Sequence, residues 1–265
     1  MNTGRLIEPP VLGTAVERWI TLAVVLAFAI HLLLPSRYTL FLSAVLLLLT
    51  VTSIYLKAIQ SFHLSFFCTL WLCLPMLLET LSKWPLNKLV PLGVYGGAVA
   101  AHYRLRRSVL WMRSGRLGLN IIAFVLLVVV VSSAALLIWQ VTCNPDLSAN
   151  RGVIPDMVPW LVPLAGVAFA LVNAAIEEAI FRGIFLQALD SAVGAGIIPL
   201  AMQALIFGWA HYSEVGCPKG VIGVSMATVY GLLLGLLRYR ARGMLAPWLA
   251  HVGTDITVFA LVATS

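Results

Sequence analysis

Charge is what this sequence has least of. Only 10% of its 265 residues are Asp, Glu, Lys or Arg, against about 25% in an ordinary soluble domain. With 61% hydrophobic residues and a mean hydropathy of +1.00, no water-soluble core of this size hides that much apolar surface. The apolar runs are long and unbroken, which excludes the alternating strands of an outer-membrane barrel. The chain has no His-Glu-x-x-His helix, which counts against a zinc hydrolase of that type. No small-residue cleavage site follows its first apolar run, which therefore reads as a retained helix. The halves show no inverted repeat, which counts against a proton-coupled transporter. Cysteine is scarce, with four in all, and these do not form a metal set. Cys68 and Cys73 share one apolar run and read as packing residues. Cys143 and Cys217 fall in loops expected on the outer face, where a disulfide is open to them.

What is present is a series of spans. A transmembrane helix needs about 20 apolar residues. Candidates run over Ile20–Leu34, Leu40–Tyr55, Phe62–Leu78, Leu89–Ala101, Leu119–Trp139, Leu161–Leu189, Ile197–His211, Val221–Leu237 and Leu245–Val262. The expected fold is all-α, a polytopic membrane bundle of eight or nine transmembrane helices. Leu89–Ala101 is the weakest span, being short and interrupted by Gly93, Gly96 and Gly97.

The net charge of +7 is unevenly spread. Arginines cluster at 104, 106, 107, 113 and 116, and again at 238, 240 and 242. These loops are short and abut apolar spans, so topology explains them better than a nucleic-acid site or a dedicated anionic-lipid site. Nine spans with the N-terminus inside put eleven positive residues on the inner side and five on the outer, which agrees with the positive-inside rule. The expected location is the inner (plasma) membrane of a bacterium, with a cytoplasmic N-terminus and no nucleic-acid partner. Before the basic loop His102–Gly118 the spans hold almost no ionisable side chains besides His31 and His63. After it come all the span-buried carboxylates. Residues 1–118 are therefore expected to form an accessory bundle and 119–265 the working core.

Three apolar segments of that core carry chemistry, and ionisable groups at membrane depth are functional candidates by default. The first holds Glu177, Glu178 and Arg182. Helical spacing lets Glu178 and Arg182 pair as i, i+4, while Glu177 sits about 100° around the helix and faces another partner. The second holds Phe207 and His211. The third holds His251 and Asp255, again i, i+4 on one face. Each segment alone has a bland reading: an internal salt bridge, an interfacial histidine, or a buried His–Asp contact. Together they favour one buried hydrolytic site. A carboxylate with two histidines activates water directly, or Glu177, His211 and His251 hold a zinc ion that does so.

The ordered motifs Glu-Glu-x-x-x-Arg (177–182), Phe-x-x-x-His (207–211) and His-x-x-x-Asp (251–255) resemble the CAAX prenyl protease and bacteriocin-processing family, also called CPBP or ABI. The likeness covers roughly residues 157–262. It implies a glutamate-dependent intramembrane endopeptidase that needs no cofactor and acts on a membrane-anchored protein or peptide in the lipid bilayer. Glu177 would activate the attacking water and His211 would share the proton work. His251 and Asp255 would stabilise the oxyanion, Arg182 would hold Glu178, and Phe207 would meet the substrate. Prenyl-protease members carry asparagine where this chain has Asp255, and an ionised aspartate cannot donate to an oxyanion. Asp255 is thus either protonated or an orienter of His251. The segments 216–220 and 243–248 resemble members associated with C-terminal sorting tags. The alternative to the enzyme is a non-catalytic membrane scaffold of the same architecture.

Overall fold

The computed structural model describes residues 13–152, 154–212 and 218–265. Cys217, and with it any Cys143–Cys217 pairing, lies outside these residues, as does the segment before Gly13. Among the described residues Cys68, Cys73 and Cys143 are free thiols.

The chain is helical throughout, with 82% helix and no strand among the described residues. In order come α1 (Ala15–Leu33), α2 (Thr39–Tyr55), α3 (Ile59–Leu77), α4 (Leu86–Ala101) and the short α5 (Tyr103–Ser108). Then follow α6 (Leu119–Cys143), the one-turn α7 (Ser148–Arg151), α8 (Val162–Glu177), α9 (Leu186–Val193), α10 (Ile197–Trp209), α11 (Gly220–Ala241) and α12 (Leu245–Thr264). Between α8 and α9 the chain stays helical but widens into π turns over Glu178–Phe185. Seven described segments are long and apolar enough to cross a membrane, among them Pro159–Val193. α4 and α10 are shorter, with 16 and 13 residues.

Unlike a water-soluble protein, the chain exposes long apolar helix faces while enclosing several charged side chains. α6 is the most apolar span, with a mean hydropathy of 3.1, yet among its residues only Val125, Val128, Leu136 and Trp139 are buried. Leu119 and Val141 are more than 80% exposed. The groups most enclosed include Glu177, Glu178, Arg182, Gln203, His251 and Asp255. Only a lipid solvent makes that arrangement favourable, because hydrocarbon accepts leucine and rejects charge. The protein is an integral membrane protein.

The Cα positions group into two compact units. One comprises Met1–Leu110 with Ile184–Met202, the other Trp111–Gly183 with Gln203–Ser265. In the first, α3 packs on α1, α2, α4 and α9. Its buried polar groups pair locally, as Thr21 with Ser61 at 2.9 Å and Thr50 with Thr69 at 3.1 Å. In the second, α12 packs against α8, α6 and α11. There α10 meets α11 at Gly208, where an added Cβ would strike the Thr228 hydroxyl. Absence of a side chain at that point lets the two backbones approach.

Candidate functional site

The site is built within the second unit, and its frame is the long helix that begins at Val162. From Val162 to Val193 the chain is helical without a break, about 48 Å at 1.5 Å per residue. That exceeds the roughly 30 Å of bilayer hydrocarbon, so one end of it extends past the apolar layer. Glu177 lies at the last α-helical position and Glu178 at the first π-helical one. Single π turns inside α-helices recur at functional sites, because the wider turn re-aims side chains.

Glu178 is the hub. Its Oε1 lies 3.0 Å from Arg182 Nη1 and 2.8 Å from His251 Nδ1. A carboxylate oxygen accepts, so in this contact the His251 Nδ1–H donates to Glu178 Oε1. The Arg182 side chain is fully enclosed, and its guanidinium carbon stands 4.3 Å from the centre of the Phe207 ring, a cation–π contact in a desolvated setting. Glu178 thus has two partners at once, one local and one from another helix.

The other ring nitrogen of His251 faces two carboxylates. Glu177 Oε2 is 3.7 Å from Nε2 and Asp255 Oδ1 is 3.6 Å from it. Both separations exceed a direct hydrogen bond. Asp255 turns its second oxygen to Asn173, whose Nδ2 donates to Oδ2 at 3.0 Å. Aromatic rings wall the imidazole: Tyr230 and Phe207 meet it edge-on, with centroids 5.5 and 6.2 Å away.

His211 falls in the turn just beyond α10 and is half-buried. Its Nδ1–H donates to the Phe207 carbonyl at 2.8 Å, and its ring lies 4.6 Å from the Phe207 ring, centroid to centroid. Phe207 is therefore a neighbour of Arg182, His211 and His251 together. Of the seven residues singled out in the sequence, Glu177, Glu178, Arg182, Phe207, His251 and Asp255 form one connected cluster, which His211 joins through Phe207.

Asn173 and Tyr230 are members that sequence reasoning missed. Asn173 had a usable signal, since it precedes Glu177 by four residues and shares its helix face. Tyr230 had none, because its place opposite His251 depends on how α11 packs against α12. Among the described residues no three His, Cys, Asp or Glu side chains are arranged to hold a metal ion. A cavity of about 910 Å³ lies elsewhere in this unit, between Gln140, Asp146, Arg151 and Ser265, and shares no residue with the cluster.

Depth is consistent from both ends. Glu177 is 15 residues beyond Val162, about 22 Å along its helix, and His251 is six residues beyond Leu245, about 9 Å along its own. Together these span one hydrocarbon thickness. The cluster lies inside the apolar layer, nearer the end where Arg238, Arg240 and Arg242 sit.

Fold and cluster define a class, an integral membrane protein with an enclosed acid–histidine site. Residues 159–257 match the family model of Rce1-like proteins, described as type II CAAX prenyl endopeptidase. This is the CAAX protease family that the ordered motifs resemble, and the matched stretch holds all seven candidate residues. No curated protein and no solved structure matches the chain.

Proposed function

We propose that the chain is an intramembrane endopeptidase that hydrolyses a peptide bond in a membrane-anchored protein or peptide, with residues 119–265 as its catalytic core. The observation that supports this most is the pair of 3.6–3.7 Å gaps around His251 Nε2. A water seated to one side of Nε2 contacts Glu177, His251 and Asp255. Glu177 takes one water proton as the oxygen attacks the scissile carbonyl carbon. The C–N bond of the tetrahedral intermediate then breaks, and that proton passes to the leaving amine. His251, held at Nδ1 by Glu178, steadies the developing oxyanion from Nε2 in its imidazolium form, in which both ring nitrogens carry a proton. Arg182, 3.0 Å from Glu178 Oε1, holds that carboxylate in place. Asp255, occupied by Asn173 on its other oxygen, orients His251. Phe207 walls the substrate side, and His211 shares the proton transfer there.

The reaction is proposed to need no metal; activity that persists in chelator, in protein free of stoichiometric zinc, is the expected result. Candidate substrates are a prenylated C-terminus, a bacteriocin leader and a sorting tag. The arginine-rich end is proposed to face the cytoplasm of a bacterial inner membrane, with the N-terminus on the same side, in accord with the eleven-to-five charge bias that nine spans give.

The decisive experiment is terminal mass spectrometry of membrane proteins from cells carrying the wild type or Glu177→Ala. New termini are expected with the wild type only. A fully active Glu177→Ala protein sinks the proposal. Loss of abundance rather than turnover in the Glu177, His211 and His251 alanine variants favours a scaffold instead.

A further inference from the structure

The arginine clusters do more in the fold than fill a loop. Residues 111–118 have no helical structure, and they lie along the turn between α11 and α12. Arg116 N donates to Ala241 O at 2.8 Å, Met244 N to Arg113 O at 2.8 Å, and Leu245 N to Ser114 O at 3.1 Å. Gly115 has φ +81°, and a Cβ there would come within 2.6 Å of the Ala241 carbonyl. Its partner in that crossing is Gly243, where an added Cβ would strike the Gly115 backbone. Two side-chain-free positions therefore let two basic segments dock backbone to backbone.

The docking gathers Arg113, Arg116, Arg238, Arg240 and Arg242 at one end of the second unit. Arg113, Arg116, Arg240 and Arg242 are exposed. Arg240 also lies over the Phe124 ring, with its guanidinium carbon 5.0 Å from the centroid. No carboxylate among the described residues of this unit shares that end. Asp146, Asp156 and the Ser265 terminus line the cavity at the other end, and Glu177, Glu178 and Asp255 are enclosed. No lysine is present in the collar. A point charge suffices to orient a loop, and lysine serves that purpose as well as arginine. A planar fork is what phosphate oxygens select.

We propose that the docked segment 111–118 and the α11–α12 turn form a built site for the phosphate of an anionic phospholipid headgroup at the membrane interface. The site is separate from the acid–histidine cluster and stands whether or not the chain is a protease.

The test is native mass spectrometry of the full chain in neutral detergent, titrated with phosphatidylglycerol or phosphatidylcholine. The wild type is expected to retain phosphatidylglycerol about tenfold more strongly. The Arg113→Gln/Arg116→Gln double variant is expected to lose about fivefold per arginine removed. Gly115→Ala separates a built site from mere charge, since it breaks the docking and leaves every arginine in place. A loss of about tenfold is expected there. A second variant, with Arg113, Arg116, Arg240 and Arg242 all changed to Lys, keeps the charge and replaces the forks, and is expected to weaken retention about fivefold. Wild-type retention in both the glycine and the lysine variants overturns the proposal, as does equal retention of the two lipids. Displacement of the lipid by inorganic phosphate at equal affinity also overturns it and assigns a soluble anion.

Discussion

The two units bury polar groups in opposite ways. In the first, Asp190 is the one carboxylate among the enclosed side chains of the described residues, and several of the others pair off with one another. His63 sits between the Tyr95 hydroxyl at 2.8 Å and the Ser108 hydroxyl at 2.7 Å, and the Thr and Ser pairs close in the same manner. In the second, two glutamates, an arginine, an aspartate and a histidine are enclosed beside the neutral Asn173, Gln203 and Thr254. There Glu178 Oε2 and Arg182 Nε and Nη2 have no hydrogen-bond partner among the described residues. Closed neutral pairs such as Thr21–Ser61 and Thr50–Thr69 hold helices together in lipid. Charged groups with hydrogen-bonding capacity to spare are costly, and native proteins keep them where chemistry uses them.

The contrast can be broken by substitution, and the largest effect belongs to the second unit. Glu177→Gln keeps the shape and removes the base. Appearance of new termini is expected to slow by about 10²–10⁴-fold, with an unchanged melting temperature. Next comes Arg182→Met, which strands the enclosed Glu178 charge. A destabilisation of about 3–5 kcal/mol is expected, read by thermal unfolding in detergent, and cleavage falls with it. Asn173→Ala takes the donor from Asp255 Oδ2. It is expected to cost about 1–3 kcal/mol, and the companion Asn173→Asp, which puts a second carboxylate there, should cost more. The smallest effect is expected in the first unit. Thr50→Val removes the bonds to Thr69 and to the Leu46 carbonyl. It should cost about 0.6 kcal/mol and leave cleavage at the wild-type rate. A Thr50→Val protein that folds well and loses activity would erase the distinction between the units.

Much of the site was legible because it is local. The spacing of Glu178 and Arg182, and of His251 and Asp255, is fixed by helical periodicity, so those neighbours follow from position alone. The expectation that Glu177 and Glu178 take different partners has the same origin, but both face His251, Glu178 at Nδ1 and Glu177 at Nε2. Their partners' identities were not legible. That Glu178 accepts from His251 Nδ1, a residue 73 positions away, depends on how α12 lies against α8. The π turns over Glu178–Phe185 leave no mark in the apolar pattern, since they change the backbone bonding and not the residue types. Nine apolar runs were legible, with Leu89–Ala101 the weakest; seven described segments are long and apolar enough to cross a membrane, and α4 and α10 are shorter.

Composition by itself determined the solvent of this protein: a chain with so few charges and such long apolar runs dissolves in lipid, and its rare ionisable groups must be enclosed. Local spacing by itself determined which of those groups are neighbours along one helix. Only the tertiary structure decided that residues from α8, α10, α11 and α12 meet around one imidazole, that residues 184–202 group with the N-terminal helices, and that the loop 111–118 docks on a distant turn. The reason is that apolar transfer and helical period are properties of short segments. The register of one helix against another is set by side-chain packing across hundreds of atoms that no single segment contains.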